Sequence, residues 1–190
     1  MIASLRRPRL VAATGVACAG FTLVELTLVA TLMGIASAIA IPLMGRAQHA
    51  ALEASAVGSL RAIHAAQATY AQTCGHSYYA PSINWLARPP TTGQGTFISA
   101  EFTTNRTDRN VYRIRFSPGT RASTSPPTCN GLRGGRAVES FFVGADPLVG
   151  GNRSPYRHFG VNANAVIYES TRRVRPTYSG EPPPPAAPIK

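Results

Sequence analysis

Residues 21–44 read FTLVELTLVATLMGIASAIAIPLM. These 24 residues are apolar apart from one carboxylate, Glu25, and a few small hydroxyl side chains. As a helix the stretch would be about 36 Å long, which is enough to cross the hydrocarbon core of a bilayer. Arginines at positions 6, 7 and 9 predict that the N-terminus lies in the cytoplasm and that the rest of the chain lies outside, after a single membrane pass.

The apolar region begins before residue 21. Residues 10–19 follow the basic stretch and are typical of the short hydrophobic part of a secretory signal, but residues 10–44 together are too long for one. Two other interpretations stay open. Ala17-Cys18-Ala19 matches a signal peptidase site, and Gly15-Val16-Ala17-Cys18 is loosely similar to a lipoprotein box. Both leave the 24 apolar residues that follow unexplained.

Glu25 is the exceptional residue of this region, because a carboxylate in an apolar helix is costly unless it is paired. The residues around it, Gly20-Phe21-Thr22-Leu23-Val24-Glu25, resemble the cleavage and methylation motif of type IV prepilins and type II secretion pseudopilins. The resemblance implies that a prepilin peptidase cuts between Gly20 and Phe21 and that Phe21 is then N-methylated. It also implies that Glu25 pairs with the N-terminal ammonium of a neighbouring subunit.

The resemblance also implies a fold and a set of partners. The expected fold class is α+β, with a long N-terminal helix whose first half spans the membrane and whose second half packs on a small antiparallel sheet. Residues 1–20 would be the leader, although the apolar run at 10–19 departs from the family's usual leader. Gly34 and Pro42 fall where the family often has helix-weakening residues. The expected partners are prepilin peptidase, the inner membrane, and other pilin or pseudopilin subunits of a periplasmic or extracellular filament.

Residues 45–74 predict an amphipathic continuation of the helix to about Thr73. Apolar residues recur at spacings of three and four, which is typical of a helix face that packs on a core; they are Ala56, Leu60, Ile63, Ala66, Tyr70 and Cys74. Gly75 follows as a residue suited to end the helix. His49 and His64 lie off the apolar stripe, and we expect them to be solvated rather than metal ligands.

The cysteines favour an oxidising compartment. Cys18 belongs to the expected leader, so the two that are left, Cys74 and Cys129, fit one disulfide. Such a bridge would close a loop of roughly 55 residues, worth about 4 kcal/mol in the simple chain-entropy treatment. Two free buried thiols are the alternative.

Residues 75–176 predict a globular region of loops and strands. Residues 75–110 form a long connection with a short helix at 82–87 and a short strand near 96–100. Its Tyr, Trp and Pro residues favour a packed loop, with an aromatic sugar-binding platform as the alternative. The strand candidates, from their alternation and β-forming residues, are 111–116, 137–145, 158–161 and 165–169, the last two joined by a turn at 162–164. Residues 177–190 are Pro-rich and predict an extended, disordered tail.

The charge suggests an alternative function. The 190-residue chain has a net charge of +11, and a chain that starts at Phe21 keeps 16 basic residues against 8 acidic ones, or +8. Such a charge attracts anions. A minor pilin that binds DNA or another polyanion through an Arg-rich surface is therefore the second hypothesis, although the arginines are scattered rather than arranged in a stripe.

Motifs of enzymes are absent from the sequence. It contains no GxSxG, no HExxH and no P-loop, so we expect no catalytic residues, no enzymatic activity and no cofactor. Asp146 is the only carboxylate of its region before Glu169, and calcium prefers several charged ligands, so we expect no metal site. A signal-anchored periplasmic domain is the least favoured alternative.

Overall fold

The computed structural model describes residues 20–91, 93, 95–102, 104–149 and 155–189. The expected leader up to residue 19, including Cys18, therefore lies outside the described residues. Within the described ranges the elements follow the order helix, short helix, then six strands: α1 Leu23–Thr73, α2 Ile83–Leu86, β1 Arg106–Arg109, β2 Tyr112–Pro118, β3 Phe141–Pro147, β4 His158–Asn162, β5 Ile167–Ser170 and β6 Ala187–Pro188. This confirms the α+β class, with one long N-terminal helix and an antiparallel sheet.

The chain forms two compact units, one up to Met44 and one from Gly45 onward. Helix α1 has 51 residues and is continuous through Gly34 and Pro42. Proline has no N–H to donate to the carbonyl four residues earlier. The loss of this one hydrogen bond does not end a helix whose backbone hydrogen bonds continue before and after it. The weakening of the helix at Gly34 and Pro42 in a filament stays a prediction.

The second unit has its core between α1 and the inner face of the sheet. The six residues of the predicted apolar stripe, Ala56 to Cys74, are all buried in this core, which confirms the amphipathic helix. The sheet contributes alternate residues of its central strands, as expected from the two-residue period of a strand. These are Tyr112, Ile114 and Phe116 from β2, Phe141, Val143 and Ala145 from β3, and Phe159 and Val161 from β4.

The sheet is an antiparallel meander in which each strand pairs with the next along the chain. Four of the predicted strands are present, with shifted ends. The predicted strand 137–145 begins only at Phe141, because Val138 makes isolated bridges with Tyr79 and Arg121 instead of joining the ladder. The turn at 162–164 is also confirmed, since the Asn164 N–H donates to the side chain of Asn162 (3.1 Å).

One strand prediction was wrong, and two strands of the sheet were not predicted. Residues 96–100 form no strand, and the first strand of the sheet is instead β1, Arg106–Arg109, at one edge. Its sequence, Arg-Thr-Asp-Arg, lacks the apolar alternation that predicts a strand. The tail prediction was also wrong for Ala187–Pro188, which pair with β5 at Tyr168 and Glu169 as the sixth strand.

The end of α1 requires glycine at Gly75 because a side chain has no room there, and not because of a left-handed backbone. The left-handed residues that follow the helix are His76 (φ 52°) and Ser77 (φ 71°), not Gly75. A Cβ at Gly75 would lie 2.1 Å from the backbone oxygen of Tyr78 and 2.9 Å from the ring of Tyr70. The backbone turns back on itself so tightly here that there is no room for a side chain.

The disulfide Cys74–Cys129 is confirmed, with the two Cα atoms 5.0 Å apart. It joins the end of α1 to the long loop between β2 and β3. The connection after the helix is a packed loop, as expected: it contains α2, and the ring of Tyr79 lies edge-on to Phe141 with centroids 4.9 Å apart. The guanidinium of Arg88 lies 4.1 Å above the ring of Trp85, so that this face of the indole is not open to a sugar.

Candidate functional site

The six-residue motif 20–25 lies at the beginning of α1. The backbone carbonyl of Thr22 accepts the first helical hydrogen bond, from the N–H of Leu26 (3.1 Å). The hydroxyl of Thr22 accepts a second, from the N–H of Glu25 (3.2 Å). Thr22 is thus the N-cap and Glu25 the third residue of the helix, which is the spacing of a capping box. The motif therefore also encodes the start of the helix, and any functional role of Glu25 has to be separated from this local one.

The residues on either side of the expected cleavage point are accessible. A Cβ built on Gly20 would meet no atom within 4 Å, and Phe21 is 76% exposed. Glu25 is exposed as well, and no ion pair joins its carboxylate to another residue in the part of the chain that the structure describes. An accessible peptide bond next to a residue without a side chain is suited to a protease, and an unpaired carboxylate is available to a partner.

Helix α1 exposes a continuous apolar surface after this motif. It is long and apolar enough, by length and composition, to cross a membrane, and none of its most apolar part is buried. Soluble monomers rarely expose apolar surface on this scale, so a lipid or protein partner is expected to cover it. The large exposed apolar side chains are Phe21, Leu23, Val24, Leu26, Leu28, Val29, Leu32, Met33, Ile35, Ile39, Ile41, Leu43 and Met44.

The second unit contains an ion-pair network that the sequence did not predict. Arg157, just before β4, donates to Glu53 of α1 through its Nη2 (2.6 Å), its Nε and its backbone N–H (both 3.1 Å), and it also bonds Glu169 of β5. Burial by itself would raise the pKa of Glu53, but the hydrogen bonds and charge of Arg157 outweigh it and hold the pKa below its ordinary value. The network joins the helix to two strands. No local pattern in the sequence indicates it, since Glu53 and Arg157 are 104 residues apart.

The two histidines of α1 are half-buried, so the prediction that they are solvated was wrong. His49 stacks on Tyr156, with ring centroids 4.9 Å apart, and the centroid of His64 lies 5.8 Å from that of Phe141. Both rings are thus packed against aromatic side chains. Among the described residues there is no group of three or more His, Cys, Asp or Glu side chains placed to hold a metal ion.

Asp146 is the centre of a second polar cluster, on the outer face of the sheet. Its carboxylate contacts Arg115 Nε at 2.6 Å, His158 Nδ1 at 2.9 Å and Arg173 Nε at 3.2 Å. Burial would raise the pKa of Asp146, but the hydrogen bonds from His158 and Arg115 and the charges of Arg115 and Arg173 keep it below its ordinary value. The carboxylate of Asp146 is therefore bonded to two arginines and a histidine.

The predicted site residues thus lie in three places. Gly20, Phe21 and Glu25 lie at the start of α1, Gly34 and Pro42 lie within it, and the two cysteines are joined at its end. Comparisons of the chain with protein-family models, with curated proteins and with solved structures gave no match. A function for this protein is therefore supported by its own motif 20–25 and by the geometry of α1 and the sheet.

Proposed function

We propose that this protein is a structural, non-enzymatic subunit of a type IV pilus or a type II secretion pseudopilus. In this proposal a prepilin peptidase cuts the precursor after Gly20, and the product has Phe21 as its methylated N-terminus. The observation that carries the proposal is the motif 20–25 placed directly at the start of a helix whose apolar residues are exposed through Met44. Before assembly this helix would hold the subunit in the inner membrane, with the N-terminus in the cytoplasm and residues 45–190 outside.

The exposed apolar helix supports assembly through helix packing. Membrane lipid would cover it in the single subunit, and the same helices of neighbouring subunits would cover it in the filament. In the filament, the carboxylate of Glu25 would find the partner that it does not have within the described part of its own chain. After cleavage the new ammonium lies four residues before Glu25, and in an apolar filament core each charge needs a partner. A Glu25–ammonium pair between neighbouring subunits would satisfy both and would fix their axial offset.

The second unit supports the same proposal from the other end of the helix. The buried stripe of α1, the Cys74–Cys129 disulfide and the Arg157 network attach the C-terminal half of the helix to the sheet. The globular part would therefore be carried rigidly by this half of the helix, and a disulfide fits a location outside the cytoplasm. A helix attached in this way can transmit the packing of the filament core to the filament surface.

The assembly role of Glu25 is tested by a pair of variants in cells that contain the filament machinery. Glu25→Gln removes the charge but keeps the capping box, because Gln serves at this position as well as Glu. Thr22→Ala removes the capping hydroxyl but keeps the charge. We expect Glu25→Gln to lower the amount of subunit in sheared filaments at least about tenfold, and Thr22→Ala to lower it far less. Membrane levels of both variants, measured by immunoblot, serve as the control for expression.

The opposite result would contradict the proposal. If Glu25→Gln assembles like the wild type while Thr22→Ala does not, Glu25 acts only in starting the helix. If neither the wild type nor the variants enter a sheared or pelletable fraction when filaments of the host are present, the chain is not a filament subunit. A signal-anchored periplasmic domain would then be the better description.

A further inference from the structure

The outer face of the sheet, opposite to α1, carries a cluster of arginines. On β2 the buried core residues alternate with Arg113 and Arg115, which therefore lie on the outer face. Arg106 of β1 is the register partner of Arg115 and shares that face. Arg173 comes from the segment after β5 and reaches Asp146 on the same face.

These four arginines surround a hollow with a volume of about 280 Å³, which also contains Asp146 and His158 in its lining. We call it the arginine hollow, defined by Arg106, Arg113, Arg115 and Arg173. A second hollow of about 340 Å³ shares Arg115 and Arg173 with the first and adds Arg175. Each of them is a concave space near the small end of the range typical of small-molecule sites.

The arginine hollow has more positive charge than its own carboxylates neutralise. Asp146 is shared by Arg115 and Arg173, and Asp108 makes a bidentate pair with Arg113 at 2.7 and 2.8 Å. Arg106 makes no direct ion pair with any residue that the structure describes, although its charge acts on Asp108 from a longer distance. Four guanidinium groups thus face two carboxylates, which leaves an excess of two positive charges among the arginines and carboxylates of the hollow.

Arg115 is the most deeply placed of the four, with only 11% of its side chain exposed. Its Nη2 is buried without an acceptor among the described residues. It lies over Gly144, where a Cβ would come within 3.2 Å of this nitrogen. A buried cation with an unused donor is unfavourable, and an anion nearby would lower this cost.

We propose that the arginine hollow is a binding site for a phosphate group, either free or as a phosphate monoester. Guanidinium groups are planar forks that match the oxygens of a tetrahedral oxyanion, and all the cations of the hollow are arginines. The site is concave and local. A nucleic-acid backbone would instead be matched by basic residues along an extended stripe. The ligand would bond mainly to Arg106 and Arg173, the members with the most exposed or unpaired guanidinium groups.

The test is a titration of the full chain, in a nonionic detergent at about 50 mM salt, with inorganic phosphate by isothermal calorimetry. Arg106→Gln/Arg173→Gln removes two charges from the hollow. Arg121→Gln/Arg133→Gln removes two charges from exposed positions in the loop between β2 and β3, and it is the matched control. We expect saturable one-site binding for the wild type, a loss of at least about tenfold for the hollow variant, and a change within about twofold for the control.

Several results would overturn the proposal. One is the absence of saturable phosphate binding to the wild type. Another is an equal loss of phosphate affinity in the two double variants, because this would indicate a general effect of charge. Binding of a short DNA duplex without binding of phosphate would also overturn it, in favour of an extended nucleic-acid surface. Near-UV circular dichroism checks the fold of each variant. If the hollow variant is misfolded, Arg106→Gln alone carries the test, with a loss of several-fold expected because this side chain has no ion pair to break.

The source of the phosphate is distinguished by a second titration, with glycerol 3-phosphate. Tighter binding than that of inorganic phosphate would support a phosphate monoester, and weaker binding would support the free ion. In both cases the hollow variant must lose affinity for the preferred probe. If it retains the wild-type affinity, the phosphate binds elsewhere and the arginine hollow is not the site.

Discussion

Gly75 shows at the scale of one residue how tightly the end of the helix is built. Gly75→Ala would place a methyl group 2.1 Å from the carbonyl oxygen of Tyr78, so the backbone has to shift. We expect the free energy of unfolding to fall by about 1–3 kcal/mol, measured by denaturant unfolding. The control is Gly58→Ala in α1, where a Cβ meets nothing within 4 Å. It should leave stability unchanged or raise it by up to about 1 kcal/mol. Wild-type stability of Gly75→Ala would contradict the geometry.

Single residues were predictable from the sequence where a simple rule fixes them. The two cysteines left after the expected leader could form only one intramolecular pair, and they do so. The position of Gly75 at the helix end was also predicted, but not the close contact that requires it. A pattern of residue types shows that a glycine is suited to a turn. It does not show whether the turn needs a positive φ or needs space, because that depends on the path of the chain around Tyr78.

At the scale of elements, the Arg157 network joins the helix to the sheet and should depend on pH. The pKa of Glu53 is lower in the folded than in the unfolded chain, so the unfolded state binds more protons in the titration range. The stabilising effect of Glu53 is therefore fully present above its unfolded pKa of about 4.3 and is lost as pH falls through the folded value. We expect Glu53→Gln to lower the free energy of unfolding by about 1 kcal/mol at neutral pH, and by less and less as pH falls below the unfolded pKa.

Denaturant unfolding of wild type and Glu53→Gln from about pH 7 to pH 3 measures this difference. Other carboxylates also titrate in this range, and the comparison with the variant removes their common effect. The control is Glu101→Gln, whose carboxylate is 64% exposed in its pair with Arg109 and should contribute little at any pH. If the difference in free energy of unfolding between wild type and Glu53→Gln stays constant down to pH 3, the ionised form of Glu53 is not its cause.

Elements with strong periodicity were predicted well, and elements held by tertiary contacts were not. The stripe from Ala56 to Cys74 and the alternation in β2 indicated which faces are buried, because burial imposes a period on the residues. Strand β1 has a polar sequence and is formed by pairing with β2. Strand β6 contains a proline and is formed by pairing with β5. The Arg157 network and the arginine hollow likewise depend on residues far apart in sequence, which no local pattern indicates.

At the scale of the whole molecule, the chain consists of two parts with different needs. The unit from Gly45 onward buries its own core and closes it with a disulfide. The helix up to Met44 exposes almost all of its apolar side chains. The unit from Gly45 onward can fold in water, whereas the apolar helix up to Met44 needs lipid or other helices around it. A membrane-inserted precursor that later packs into a filament core satisfies both.

The intact mass of the membrane-extracted protein, co-expressed with a prepilin peptidase, tests this account most directly. Wild type, Gly20→Ala and the control Gly34→Ala would be compared, since a Cβ at either glycine meets no atom within 4 Å. We expect wild type and Gly34→Ala to give a product that begins at methylated Phe21, and Gly20→Ala to remain unprocessed. An unprocessed wild type, or a cut beside Cys18 or Ala19, would contradict the prepilin account and would indicate a signal-anchored or lipid-anchored domain instead.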